Sequence, residues 1–123
     1  MTADTIVVAD HVVLGKPADA SEAAEMLQML SGRTHQVVTS VSLLSAERVE
    51  TVSDIALVSF RSLEDWEITY YIEHYRPFDK AGAYGIQEWI GMTAVEKIEG
   101  SFYTIMGLPV HVVFQLLKPY FAK

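Results

Sequence analysis

From Thr34 to Phe60 the chain reads as β structure, and that stretch narrows the choice of fold more than any other. Val37, Thr39, Val41 and Leu43 alternate with residues of a second face, and Val49 to Phe60 forms another such run. Period-two alternation sends successive side chains to opposite sides of a pleated strand, so the stretch predicts two strands joined by "SAER" (45–48) as a hairpin connection. Helix signals flank it. Asp19 and Glu22 have the spacing of a capping box, ahead of a helix whose Ala20, Ala23, Ala24, Leu27 and Leu30 share a face and which Gly32 ends. Ser62 with Asp65 predicts a second cap, before a stripe of Ile68, Tyr71, Ile72 and Tyr75 that Pro77 stops. "DTIVVA" (4–9) reads as a short buried strand, "LGKP" (14–17) as a turn and "AVEKIEG" (94–100) as a further strand. "SFYTIMG" (101–107) predicts a short helical turn, and Pro109 opens a last helix along Val110, Val113, Phe114 and Leu117. The architecture these signals predict is a single α/β or α+β domain around a mixed sheet.

Composition removes several classes of function. Half of the 123 residues are hydrophobic and a fifth are charged, the balance of a globular domain with a real core. A net charge of −7 excludes a general nucleic-acid binder, which carries a basic face, but leaves room for a small anion held by a few placed cations. The chain has no cysteine, so disulfides and thiolate zinc sites are excluded and a cytoplasmic setting fits. It shows no apolar run long enough to span a bilayer and no signal-peptide pattern at Met1.

The residues that could carry chemistry lie in loops. The four histidines, at 11, 35, 74 and 111, have no metal-ligand spacing and read as partly exposed structural residues. No serine stands in a GxSxG setting, and neither a GxxxxGK[ST] loop nor a GxGxxG fingerprint occurs. What remains is "ADT" (3–5), "LGKP", "LSGRTH" (30–35), "DKAGAYGIQ" (79–87) and "GSFYTIMGLP" (100–109). Lys16 and Lys80 each stand beside small residues, where main chain can approach a phosphate closely and an ammonium can neutralise oxygen charge. Asp4 opens a strand, where a carboxylate can be held rigidly against a pocket. On their own, Gly15-Lys16 reads as a plain turn and Asp79-Lys80 as a local ion pair.

In order and wording, "ADT", "LSGRTHQVVT", "DKAGAYGIQ" and "GSFYTIMGLP" resemble the Maf family, the septum-formation-inhibitor or Maf-like nucleoside triphosphate pyrophosphatases, from Ala3 to about His111. The resemblance implies an α/β fold with a mixed, curved sheet flanked by helices, akin to inosine triphosphate pyrophosphatases. It implies hydrolysis of a nucleoside triphosphate at the α-phosphorus with a divalent cation, magnesium or manganese, and a homodimer as the assembly. By the same resemblance Asp4 matches the proton acceptor, Lys16 a phosphate contact assisted by Lys80, and Thr5 and Gln87 the positions tied to base selection. The "DKAGAYGIQ" wording is that of the dTTP and UTP subgroup. A glutamine amide, both donor and acceptor, suits the mixed edge of a pyrimidine.

Departures from the family wording set further expectations. Ser40 stands where glycine is frequent, and Thr104 where asparagine is. The S-x-S-P-R-R segment that grips the triphosphate in the family has no counterpart ahead of "ADT", so residues 1–123 match the C-terminal two-thirds of the family domain. The expectation is an N-terminally truncated domain that leaves a strand edge and apolar surface open, with little activity by itself. The alternative function is then that of a non-catalytic fragment that acts by binding, as in division arrest.

Overall fold

The alternation read at 34–60 builds the centre of the molecule in a computed structural model that describes residues 2–44 and 49–121. Strand β1 (Thr2–Ala9) turns into β2 (Val12–Leu14), and helix α1 (Ala20–Leu30) leads to β3 (Thr34–Leu44) and β4 (Val49–Phe60). Helix α2 (Asp65–Tyr75) and a single 3-10 turn (Ala81–Ala83) precede α3 (Trp89–Ala94), β5 (Val95–Glu99), α4 (Phe102–Ile105) and α5 (Val110–Phe121). The strands form one sheet in the order β2-β1-β3-β4-β5. The α/β class is as expected. Every pairing among the described residues is antiparallel, so the mixed pairing that was expected has no counterpart there. The β1–β2 hairpin places β2 beside β1, and α1 then carries the chain across to β3 on the other side of β1, so the one long crossover of this half joins strands that are not neighbours.

One face of the sheet carries the core. Val7, Ala9, Val37, Ala56, Val58 and Phe60 are buried beneath Ala23, Leu27 and Leu30 of α1 and Ile68, Tyr71 and Ile72 of α2. The other face is a ladder of hydroxyl pairs, Thr34–Ser59 and Ser40–Ser53 at 2.7 Å and Ser42–Thr51 at 2.9 Å. Ser40, the departure from a frequent glycine, is therefore at home in a polar cross-strand pair. Along β1, Val7 and Val8 pair on both sides, whereas among the described residues Ala9 pairs with β2 alone and Thr2 to Ile6 with β3 alone. The predicted "SAER" connection lies outside the described residues.

The caps are half as expected. Asp19 accepts the Glu22 N–H at 2.8 Å and starts α1, and Gly32 follows it with φ +67°. Helix α2 starts at Glu64 rather than Ser62, because the Glu67 carboxylate takes the Glu64 N–H at 3.0 Å while Arg61 grips it from β4. In α5 the stripe differs too. Leu116 is buried, whereas Val110 and Phe114 are exposed. No described helix is long and apolar enough to cross a membrane.

Candidate functional site

A cleft of about 330 Å³ opens where the start of β1, the turn after β2, the 79–87 loop and the turn after α4 meet. Asp4, Thr5, Lys16, Lys80 and Gln87 all line it, although they come from three separate stretches of sequence. Main-chain contacts explain the convergence. The Gly82 N–H donates to the Gly15 carbonyl at 3.1 Å, tying the loop of Lys80 to the turn of Lys16. Gly82 has φ +70°, and a Cβ there would sit 2.9 Å from Val7 Cγ2. Only glycine lets this loop lie directly on β1.

The floor is a relay of hydroxyls. Thr5 Oγ1 lies 2.9 Å from Thr39 Oγ1, and Thr39 donates to the Thr104 carbonyl at 2.8 Å. A hydroxyl has one proton, so between the two threonines Thr5 is the donor. That leaves Thr5 Oγ1 with acceptor capacity toward the cleft. Thr104 in turn donates to Asp54, which His111 Nε2 approaches at 3.3 Å. Thr104, the second departure from the family wording, is thus a buried donor with a partner. Asp4 is exposed at the cleft rim, and its Oδ1 accepts the N–H of Thr5 at 3.1 Å, which orients the carboxylate.

Two buried phenols anchor the 79–87 loop, one from α2 and one from the loop itself. The hydroxyl of Tyr71 accepts the Gly85 N–H at 3.0 Å and donates to Glu88 Oε1 at 2.7 Å. The hydroxyl of Tyr84 lies 2.7 Å from His35 Nε2, with Phe60 edge-on to both rings. Burial pushes both phenols well above the usual tyrosine range, helped at Tyr71 by the Glu88 carboxylate, so both stay protonated. The local ion pair expected of Asp79 and Lys80 exists, at 3.4 Å, within the cleft lining.

His35 corrects the expectation of a partly exposed histidine, because it is only 1% exposed. The signal was in the sequence: His35 has the same parity along β3 as Val37, Thr39 and Val41, which face the core. Its Nδ1 has no hydrogen-bond partner among the described residues, and burial lowers its pKa from 6.5 to about 4. Between those values the unfolded chain binds a proton that the folded chain refuses, so stability falls as pH drops from 6.5 toward 4. The expected slope is about 1.4 kcal/mol per pH unit. Urea midpoints across this range measure it, and His35→Gln, which keeps a partner for Tyr84, should flatten it. An equal slope in both proteins would assign the effect elsewhere.

Tyr71, Tyr84, Thr39, Thr104 and Asp54 were not singled out for the site from sequence. Each acts through a partner that only the tertiary register reveals. Among the described residues no group of three or more His, Asp or Glu side chains could hold a metal by itself. Two lysines, two carboxylates and close-lying main chain, with Thr5 and Gln87 also on the wall, suit a ligand that has both an anionic chain and a polar planar group. By fold the chain is an α/β domain, and its cleft carries charges of both signs.

Comparison with known proteins makes this specific. The chain matches the family model described as Maf-like protein over residues 1–120, and it belongs to the Maf family. A Porphyromonas gingivalis protein named dTTP/UTP pyrophosphatase is 56% identical over 98% of this chain and 60% of its own length. Proteins of the same name from Bacteroides fragilis and Cytophaga hutchinsonii are each 48% identical, over 96% and 98% of this chain and 61% and 56% of their own. The chain therefore spans about three-fifths of the length of the curated relatives it matches.

Proposed function

We propose that the cleft hydrolyses dTTP and UTP to the monophosphate and pyrophosphate. The observation that carries this is the convergence of Asp4, Thr5, Lys16, Lys80 and Gln87 on one cleft, in a chain similar throughout to proteins of that name. In this reading water attacks the α-phosphorus, the bond from that phosphorus to the α–β bridging oxygen breaks, and the oxygen leaves with pyrophosphate. Asp4 takes the proton of the attacking water. Lys16 and Lys80 set their ammonium charges against the triphosphate and the charge that develops on the leaving group.

The base is read by complementary polarity. Uracil and thymine present an N–H between two carbonyls; Thr5 Oγ1 has acceptor capacity left, and the Gln87 amide both donates and accepts. A divalent cation, magnesium or manganese, fits the cleft: Asp79 at the rim with substrate phosphate oxygens is the sparse, hard-oxygen donor set such an ion takes. When bound, it supplies charge neutralisation on the triphosphate. A substrate of this kind goes with a cytoplasmic enzyme, and a homodimer is the assembly we infer.

The test is a comparison of kcat/KM across UTP, dTTP, CTP, GTP and 7-methyl-GTP with magnesium or manganese. It is run on the 123-residue chain and on the chain extended by an S-x-S-P-R-R segment. A site of this polarity should favour UTP and dTTP by one to two orders of magnitude, roughly tenfold for each polar contact left unpaired. Equal values for UTP and 7-methyl-GTP would contradict the base assignment.

A further inference from the structure

We propose that Tyr71 is a positioning residue for the cleft, setting the reach of Lys80 and the placement of Gln87 through its hold on Gly85 and Glu88. The proposal rests on the nucleotide reading above and extends it to a residue that does not line the cleft.

Tyr71 belongs to the inward stripe of α2, where its neighbours Ile68 and Ile72 are apolar, and it is fully buried. A phenol at that depth is costly unless its hydroxyl is bonded. Here it both accepts and donates, from the Gly85 N–H and to Glu88 Oε1. The Glu88 N–H also donates to the Gly85 carbonyl at 3.0 Å, so the hydroxyl closes a turn at both of its ends, with Gln87 inside it. The turn is used as a surface. A Cβ on Gly85 would lie 2.7 Å from Lys80 Cε and 2.6 Å from Glu88 Oε1. The lysine stem and the glutamate carboxylate thus share the space over one bare Cα.

That arrangement makes the Tyr71 proton decisive. While Tyr71 donates to Glu88, the carboxylate is drawn down toward α2, and Lys80 passes over Gly85 with its ammonium 3.4 Å from Asp79 in the cleft lining. Without the hydroxyl the carboxylate loses that donor, and the Lys80 stem already shares the space over Gly85 with it. An ion pair between them would withdraw the ammonium from the phosphates, and the released Gly85 N–H would loosen the turn that carries Gln87. Burial and Glu88 keep the phenol protonated, so the donor is permanent across the working pH range.

Tyr71→Phe removes one oxygen and keeps the ring. In this variant the Gly85 amide should exchange with solvent faster. The Kd for UTP should rise roughly tenfold, and that for UMP, which keeps the base Gln87 reads but lacks the β- and γ-phosphates, by clearly less. Should Tyr71→Phe fail to fold, Glu88→Gln weakens the same bond and should speed Gly85 exchange. The UTP loss there should be smaller, through the loosened turn alone, since a neutral amide cannot draw Lys80 away; unchanged exchange would overturn the hold on the loop. In Tyr71→Phe three results would overturn the proposal: an unchanged Gly85 amide, an unchanged UTP affinity with that amide released, or an equal loss for UTP and UMP. If the parent chain does not bind UTP at all, the nucleotide reading falls instead. Exchange at Gly85 then still decides whether Tyr71 holds the loop.

Discussion

Asp4→Asn is expected to lower pyrophosphatase turnover by a factor of roughly 10² to 10⁴, the range for loss of a positioned general base. The carboxylate stands at the cleft rim, oriented by the Thr5 N–H, at the start of a strand whose register is fixed by pairing with β3. Asparagine has the same shape and can still accept that N–H, but it cannot take a proton from water. Because Asp4 is exposed, the substitution should change stability by no more than about 0.5 kcal/mol. The check pairs a thermal melt with steady-state kinetics on UTP. A loss in kcat with little change in KM supports the assignment, since the proton moves in the transition state. Near-normal kcat would remove Asp4 from that role.

Arg61→Ala should produce the largest loss of stability. Its guanidinium holds the Glu67 carboxylate through two bonds, at 2.9 and 2.5 Å, and donates from Nε to the Thr93 carbonyl at 2.7 Å. Its backbone N–H reaches the Ala94 carbonyl at 2.9 Å. One residue thereby joins the end of β4 to the first turn of α2 and the last of α3. The Glu67 side chain is 9% exposed, and its pKa is lowered chiefly by the Arg61 hydrogen bonds against the cost of burial. Alanine would leave that carboxylate buried with the Glu64 N–H as its remaining partner. Breaking a buried pair from one side costs about 3 to 5 kcal/mol. Arg61 is itself a third exposed, which puts the expectation near the lower end, about 3 kcal/mol, or on the order of 10 °C in Tm. The double variant Arg61→Met with Glu67→Met should recover much of the loss, because no charge is then stranded. A single-variant loss under about 1 kcal/mol would show the pair to be an ordinary surface contact.

Local signals made much of the fold legible. The β3–β4 alternation, the Asp19 cap, Gly32 after α1, Pro77 after α2 and Pro109 before α5 each depend on neighbours a few residues away, and each is found. The misses depended on more distant partners. The β1–β2 hairpin turns through Asp10 and His11, both at positive φ, without the glycine that usually announces such a turn. Helix α3 is only one and a half turns, too short to show a period. The start of α2 moved to Glu64 because Arg61 and Glu67 meet across the turn, and no capping rule reads that contact. The site divides the same way. Lys16, Lys80 and Gln87 were legible from motif wording, while His35 and Tyr71 beneath them look in sequence like ordinary strand and helix residues. Their role comes from which loop folds over them.

Attack of water at the α-phosphorus of a pyrimidine nucleoside triphosphate would leave an isotopic signature in the products. The most direct measurement is hydrolysis of UTP in ¹⁸O-labelled water with magnesium, with the products separated and weighed by mass spectrometry. The 123-residue chain and the form extended by the S-x-S-P-R-R segment are run side by side. UMP should carry one ¹⁸O beside unlabelled pyrophosphate, with the label lost in step with turnover in Asp4→Asn. Label in pyrophosphate, release of UDP and phosphate, or no turnover in either form would contradict attack at the α-phosphorus.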